Sequence, residues 1–252
     1  MQTKIYAHRG SRGQYPENTM LAFSKAIQSG ADGIELDVHL SKDGEVVVIH
    51  DATLERTTTG SGYVKDQTYA EIRTHSAGKK FNEYKRYASD WDLEAVPTLT
   101  DVLALVKESA VSVNIELKTH EVQYPNIEKR VLDAVAASGL LPHQVVYSAF
   151  HLPTLLRLQQ LEASAQVAWL LEQHVPMPMD YVQTFNLEAL HIDKALVLTQ
   201  PDLWQPMASK LRVWTANNDM KIKRLLELGV AAIITDYPER ALKLREAQSR
   251  TT

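Results

Sequence analysis

Eight short apolar runs, most of them followed by enough chain for one helix, limit what this sequence can fold into. They are "KIYAH" (4–8), "GIELDV" (33–38), "VSVNIEL" (111–117), "QVVYSA" (144–149), "QVAWLL" (166–171), "ALHID" (189–193), "LRVWT" (211–215) and "AAIIT" (231–235). Intervening stretches such as "NTMLAFSKAIQSG" and "NDMKIKRLLELG" are amphipathic and end at a glycine, a frequent helix terminator. Strands alternating with helices imply a parallel sheet, and eight such units favour an α/β fold closed as a (β/α)8 TIM barrel. The 252 residues suit one such barrel as a single domain spanning residues 1–252. An open doubly wound sheet is the rival. No G-x-G-x-x-G follows the first run, which removes the usual nucleotide-binding reason for it.

Two segments break the regularity. The run "EVVVI" (45–49) follows the second strand too closely for a parallel crossover, so it must return antiparallel. Residues 52 to about 96 are polar and poor in strand signals, and they are expected to form an inserted lobe at the C-terminal face of the barrel.

Asp43-Gly44 reads as a two-residue hairpin turn. That turn pairs Lys42 with Glu45, Val38 with Ile49 and Asp37 with His50. It places Ile34, Leu36, Val38, Leu40, Val47 and Ile49 on one face and gathers Glu35, Asp37 and His50 on the other.

Alternating charge on a strand is often only a solvated face. Inside a parallel barrel, however, two neighbouring carboxylates repel, and one pKa must rise unless a cation intervenes. Oxygen-only donors suit a hard ion, Mg2+ or Ca2+. In "VNIELKTH" (113–120), Asn114, Glu116 and Lys118 share a face. Glu116 could complete a three-carboxylate set and Lys118 could touch an anionic substrate; a functionless Glu–Lys pair in the barrel interior is the simpler alternative. "YAHRG" ends the first strand on His8 and Arg9, at the end of the barrel where active sites form. Arg9, Lys118 and a cation make a site for a phosphate-sized anion, with His8 and His50 as base and acid. That set points to metal-assisted phosphoryl chemistry. Trp214 and Phe150, at two other strand exits, could wall the carbon part of a substrate or simply pack.

The totals narrow the classes further. A formal net charge of −4 without a run of lysines or arginines argues against nucleic acid or an anionic membrane as the main partner. With no cysteine, neither disulfides nor thiolate metal sites are available. The first ten residues reach polar side chains too early for a signal peptide, and no apolar run is long enough for a transmembrane helix. A cytoplasmic protein is the default expectation. Oligomeric state stays open, a homodimer included.

In their order along the chain, "HRG", "PENT" (16–19), "GADGIELDVHLSKDGEVVVIHD", "LERTTTGSG", "VPTLTDVL", "NIELK", "VWTANN" and "ITDYP" resemble the glycerophosphodiester phosphodiesterase family of cytosolic bacterial type. The resemblance implies a (β/α) barrel with an insertion after the "HD" pair. It implies Glu35, Asp37 and Glu116 as ligands of one Mg2+ or Ca2+, His8 and His50 as the acid–base pair, and Arg9 and Lys118 as phosphate ligands. Trp214 and Phe150 would flank the glycerol, while Glu17 and Asn18 would support Arg9 and the first loop. "WTANND" carries an extra asparagine relative to the family pattern, so Asn217 and Asn218 compete for one position.

The activity implied is hydrolysis of a small-molecule glycerophosphodiester to sn-glycerol 3-phosphate and an alcohol. Lysophospholipase D-type hydrolysis of lysolipids is the enzymatic alternative, disfavoured by the polar insertion. A non-catalytic barrel that binds polyol phosphates is the other.

Overall fold

The first strand, β1 (Lys4–His8), is buried at every position after Lys4. The computed structural model describes residues 2–250. After β1 comes α1 (Met20–Gln28), whose first turn is capped by Thr19 accepting from the Ala22 amide. Next is β2 (Gly33–Leu40), buried throughout, and β3 (Val46–Val48). A short helix, α2 (Tyr69–Ile72), and several 3-10 turns lead to α3 (Leu99–Lys107). The chain then alternates through β4 (Ser112–Leu117), α4 (Ile127–Ser138), β5 (Val145–Ala149), α5 (Leu152–Leu161) and β6 (Val167–Leu171). It continues with α6 (Pro178–Thr184), β7 (Ala189–Asp193), α7 (Lys194–Thr199) and α8 (Pro201–Trp204). It ends with β8 (Leu211–Trp214), α9 (Asp219–Leu228), β9 (Ala232–Thr235) and α10 (Pro238–Ser249).

The strand order is β1-β9-β8-β7-β6-β5-β4-β2, and pairing of β1 with β2 closes it. Apart from β3, every neighbour is parallel, so the eight strands expected from the sequence form a closed (β/α)8 barrel. Outward residues such as Ile34, Leu36, Ile115 and Val213 form one apolar cluster with Phe23 of α1, Leu103 of α3 and Leu225 of α9. Burying that layer is the main favourable contribution to the fold. The alternate residues of β2, Glu35 and Asp37, therefore face the barrel interior.

The hairpin differs from the sequence expectation. β3 pairs Val38 with Val48, His39 with Val47 and Leu40 with Val46, one residue away from the expected register. Lys42, Asp43 and Gly44 form a three-residue loop closed by the Ser41 amide donating to the Glu45 carbonyl. Only Gly44 has positive φ, at 82°, as in the turn-plus-bulge hairpin that favours glycine there. Asp37 therefore aligns with Ile49, whose amide donates to the Asp37 carbonyl, rather than with His50.

The expected apolar partition changes with it. Val46 and Val48 join the main core, whereas Val47 and Ile49 pack with Leu54, Val64, Ile72, Ala77 and Val96. Four consecutive apolar residues satisfy either register, and the segment after β3 covers the second face. The hydrophobic pattern therefore left the register to the turn.

Residues 52–96 attach through that second cluster and through a third, in which Phe81 and Trp91 pack with Tyr15 of the first strand–helix connection and Ala22 of α1.

Candidate active site

Two chain segments meet head-on along one edge of β2. β1 climbs that edge until His8 lies beside Glu35, and β3 descends it as far as Ile49 beside Asp37. Where they meet, the chain delivers His8 and Arg9 from below and His50 from above. On the opposite edge of β2, β4 places Glu116 directly beside Asp37.

The acidic groups that result, Glu35, Asp37 and Glu116, are all buried, and each offers an oxygen within 4.8 Å of the others. Burial and the neighbouring Asp37 and Glu116 charges push Glu35 well above the ordinary carboxylate range. Burial would raise Asp37 too, but Arg9 and Lys118 outweigh it and hold it below its ordinary value. Asp37 Oδ1 accepts no hydrogen bond from the described residues, although it is shielded from solvent. Three clustered carboxylates, with Glu35 raised in proton affinity and an idle oxygen on Asp37, fit a divalent cation.

Cations surround the trio. Arg9 Nε lies 3.2 Å from Asp37, its Nη1 donates to Glu17 at 2.8 Å and its amide donates to Glu35 at 2.9 Å. Lys118 Nζ donates to Glu116 at 2.9 Å and lies 3.6 Å from Asp37. Burial alone would lower the Lys118 pKa, but Glu116 and Asp37 reverse that and hold it above its usual value. Asn18 donates to Asp37 at 3.0 Å, and its amide donates to the Arg9 carbonyl. Arg9, Gly10 and Asn18 all have positive φ. At Gly10 a side chain would also meet the Ala22 backbone at 2.6 Å, so the β1–α1 turn admits only glycine there.

Each histidine has a carboxylate at Nδ1: His8 with Asp236 at 2.7 Å and His50 with Asp51 at 2.7 Å. Carboxylates only accept, so both Nδ1 atoms carry protons and the Nε2 lone pairs remain available. His50 Nε2 lies 3.1 Å from Lys118 Nζ, and His8 Nε2 lies 4.0 Å from Glu35. Burial lowers the His8 pKa, partly countered by its bond to Asp236.

Asp51 and Asp236, unassigned from sequence, thus orient the rings. So does Arg56, which forks onto both Asp51 and Glu17 through four hydrogen bonds of 2.7–3.0 Å. His39 is also buried; it contacts the His50 carbonyl at 3.0 Å and the Tyr124 hydroxyl at 2.7 Å. The adjacency in "HD" was the only local signal for Asp51; Arg56 and Asp236 lie too far along the chain for pattern reading to pair them.

His8, Arg9, Glu35, His50, Glu116 and Lys118 open onto one cavity of about 350 Å³. Phe150 and Trp214 line it with edge-to-face rings 5.8 Å apart. Glu17 and Asn18 stand behind Arg9 and Asp37.

Across residues 8–240 the sequence matches the family described as "Glycerophosphoryl diester phosphodiesterase family". The chain belongs to the glycerophosphoryl diester phosphodiesterase family. It is accordingly an enzyme of the phosphoric diester hydrolase class. A glycerophosphodiester phosphodiesterase of Bacillus altitudinis is 40% identical over 248 residues, covering 97% of this chain and 98% of that protein. Another, from Caldanaerobacter subterraneus, is 36% identical over 247 residues, with 97% and 98% covered. Among solved structures, an Oleispira antarctica phosphodiesterase in complex with the product sn-glycerol-3-phosphate has a TM-score of 0.84 at 25% identity, covering 97% of each chain. Against the family pattern, the extra asparagine resolves into two tasks. Asn217 donates to Asp236 at 2.7 Å, whereas Asn218 caps α9.

Proposed function

We propose that this enzyme hydrolyses glycerophosphodiesters to sn-glycerol 3-phosphate and an alcohol, with a divalent cation at Glu35, Asp37 and Glu116. The observation that carries the reading is the pair of carboxylate-anchored histidines, His8 and His50, opening with Glu35 and Glu116 onto one cavity, with Asp37 buried beside them. When bound, a hard cation such as Mg2+ or Ca2+ supplies Lewis-acid polarisation of a phosphoryl oxygen.

Everything else falls to side chains. Arg9 and Lys118 hold the phosphate and balance charge that grows on its oxygens. One Nε2 accepts the proton of the nucleophile, which is water or else the glycerol 2-hydroxyl, whose cyclic phosphate water then opens; the other imidazole, protonated, donates to the departing alkoxide. The carboxylates of Asp51 and Asp236 favour the imidazolium that forms on whichever ring takes the proton. Phe150 and Trp214 flank the carbon chain of the glycerol.

A hydrolysis panel tests this: glycerophosphocholine with Mg2+, Ca2+ or chelator present. Release of glycerol 3-phosphate that requires cation supports the reading. Rates indifferent to chelator, or binding without turnover, would reject it.

A further inference from the structure

Within the barrel, beyond the acidic trio, lie buried polar atoms that no group among the described residues satisfies. His191 on β7 is 0% exposed, and neither of its ring nitrogens has a hydrogen-bond partner. Asn114 on β4 is 1% exposed with an idle Oδ1, and the indole nitrogen of Trp214 is idle as well. All three residues line the cavity that holds His8, His50, Glu35 and Glu116.

A buried imidazole with two unused nitrogens is costly, and native structures rarely keep one unless something else fills the gap. Burial and the nearby Arg212 charge hold the His191 pKa well below its ordinary value, so the ring is neutral. A neutral imidazole presents one donor and one acceptor, which together match a hydroxyl better than an anion or an ammonium.

Position narrows the choice. On β4, Asn114 lies one inward-facing step, roughly 6.7 Å, before Glu116, deeper in the barrel. His191 pairs with Leu170 of β6, and Leu170 and Ile234 line the same cavity. At the other end the cavity opens past His120 and the exposed Glu121. The buried lining around His191 suits a small group carrying a hydroxyl, and the exposed residues at the other end suit the solvated remainder of a diester.

We infer that His191, with Asn114 lining the same floor, is a specificity-determining residue that reads the terminal hydroxyl of the glyceryl half of the substrate. This rests on the proposed function and adds to it the side chain that contacts the glyceryl hydroxyl. A hydroxyl there would occupy nitrogens that otherwise have nothing to bond.

The test compares kcat/KM for glycerophosphocholine with that for its 1-deoxy analogue, in which hydrogen replaces the terminal hydroxyl. Wild type should favour the parent compound by roughly tenfold or more, the worth of one or two buried hydrogen bonds. His191→Leu should bring the ratio to about one, by losing rate on the parent only, and should raise the melting temperature. His191→Gln, which keeps a donor and an acceptor, should recover part of the preference.

A His191→Leu enzyme that hydrolyses both compounds with the wild-type ratio overturns the inference and leaves only a buried water at His191. Wild type that hydrolyses neither compound rejects the function proposed above instead. Should the leucine variant fail to fold, the unaltered protein still decides. Its His191 ring nitrogens should shift by NMR on binding sn-glycerol 3-phosphate and stay unmoved with inorganic phosphate; equal shifts with both ligands overturn the inference.

Discussion

Lys118 Nζ lies 3.1 Å from His50 Nε2 and 2.9 Å from Glu116 Oε1, so one ammonium touches both a proposed acid–base group and a proposed metal ligand. Because an ammonium has no lone pair, His50 must present a lone pair to it. In the resting site the ring is therefore neutral at Nε2, and its remaining proton is directed at Asp51. The same ammonium lies 3.6 Å from Asp37. Substrate phosphate would draw Lys118 away from these partners and free His50 to exchange a proton.

If the two imidazoles divide acid and base work, His8→Ala and His50→Ala should each lower kcat on glycerophosphocholine by roughly 10²–10⁴-fold. Far-UV circular dichroism should stay unchanged. Near-normal turnover in both variants would remove the mechanism.

Repulsion within the trio makes a distinct prediction for stability. Glu35→Gln should raise the melting temperature in chelator, since it removes a buried charge crowded by Asp37 and Glu116. It should also abolish the stabilisation that cation gives wild type, which is about 2.7 kcal/mol at a concentration one hundred times Kd. Thermal shift with and without Mg2+ or Ca2+ reads both effects. An undiminished cation response in the variant would remove Glu35 from the ligand set.

Arg56 should act through the charges it bridges. Burial alone would raise Glu17, but Arg56, Arg9 and Arg12 lower it to about 2, and Arg56 and His50 similarly overcome burial at Asp51 and bring it to about 2. Both folded pKa values lie below the unfolded ones. The stability they carry is therefore present above about pH 4.5 and lost as pH falls toward 2. For Glu17 it amounts to on the order of 3 kcal/mol. Arg56→Met should be less stable than wild type at neutral pH, with the gap closing toward pH 2. Urea denaturation in chelator across that range measures it; a gap independent of pH would count against the network.

Gly10→Ala should destabilise the fold by about 1–3 kcal/mol, because it combines a left-handed backbone with a Cβ that would meet Ala22 backbone. Since Arg9 and the His8 turn depend on that loop, KM should rise as well. An alanine variant with unaltered Tm and KM would mean the turn relaxes freely.

Local pattern carried much of this protein. The alternation of strand and helix made the barrel legible, because burial on both faces of a strand and on one face of a helix leaves a different periodicity in each. Glu35, Asp37 and Glu116 could be assigned to the interior because side chains on a strand alternate. The sequence expected these three to meet, and the structure places them together.

What local pattern could not decide was anything with two equally good apolar solutions or a distant partner. "EVVVI" fits either register, and only the three-residue turn at Gly44, with a covering segment over Val47 and Ile49, selected between them. Asp236 meets His8 across 228 positions, and Arg56 reaches Glu17 across 39, pairings that exist only once the barrel closes. His191 reads as one more residue of a buried strand; its two idle nitrogens become visible only when every neighbour is in place. Residue type and spacing determined which face each side chain takes, because that is a property of the local backbone. Tertiary structure alone decided which charges and hydrogen-bonding atoms meet, because that depends on how distant strands are brought into register around the closed sheet.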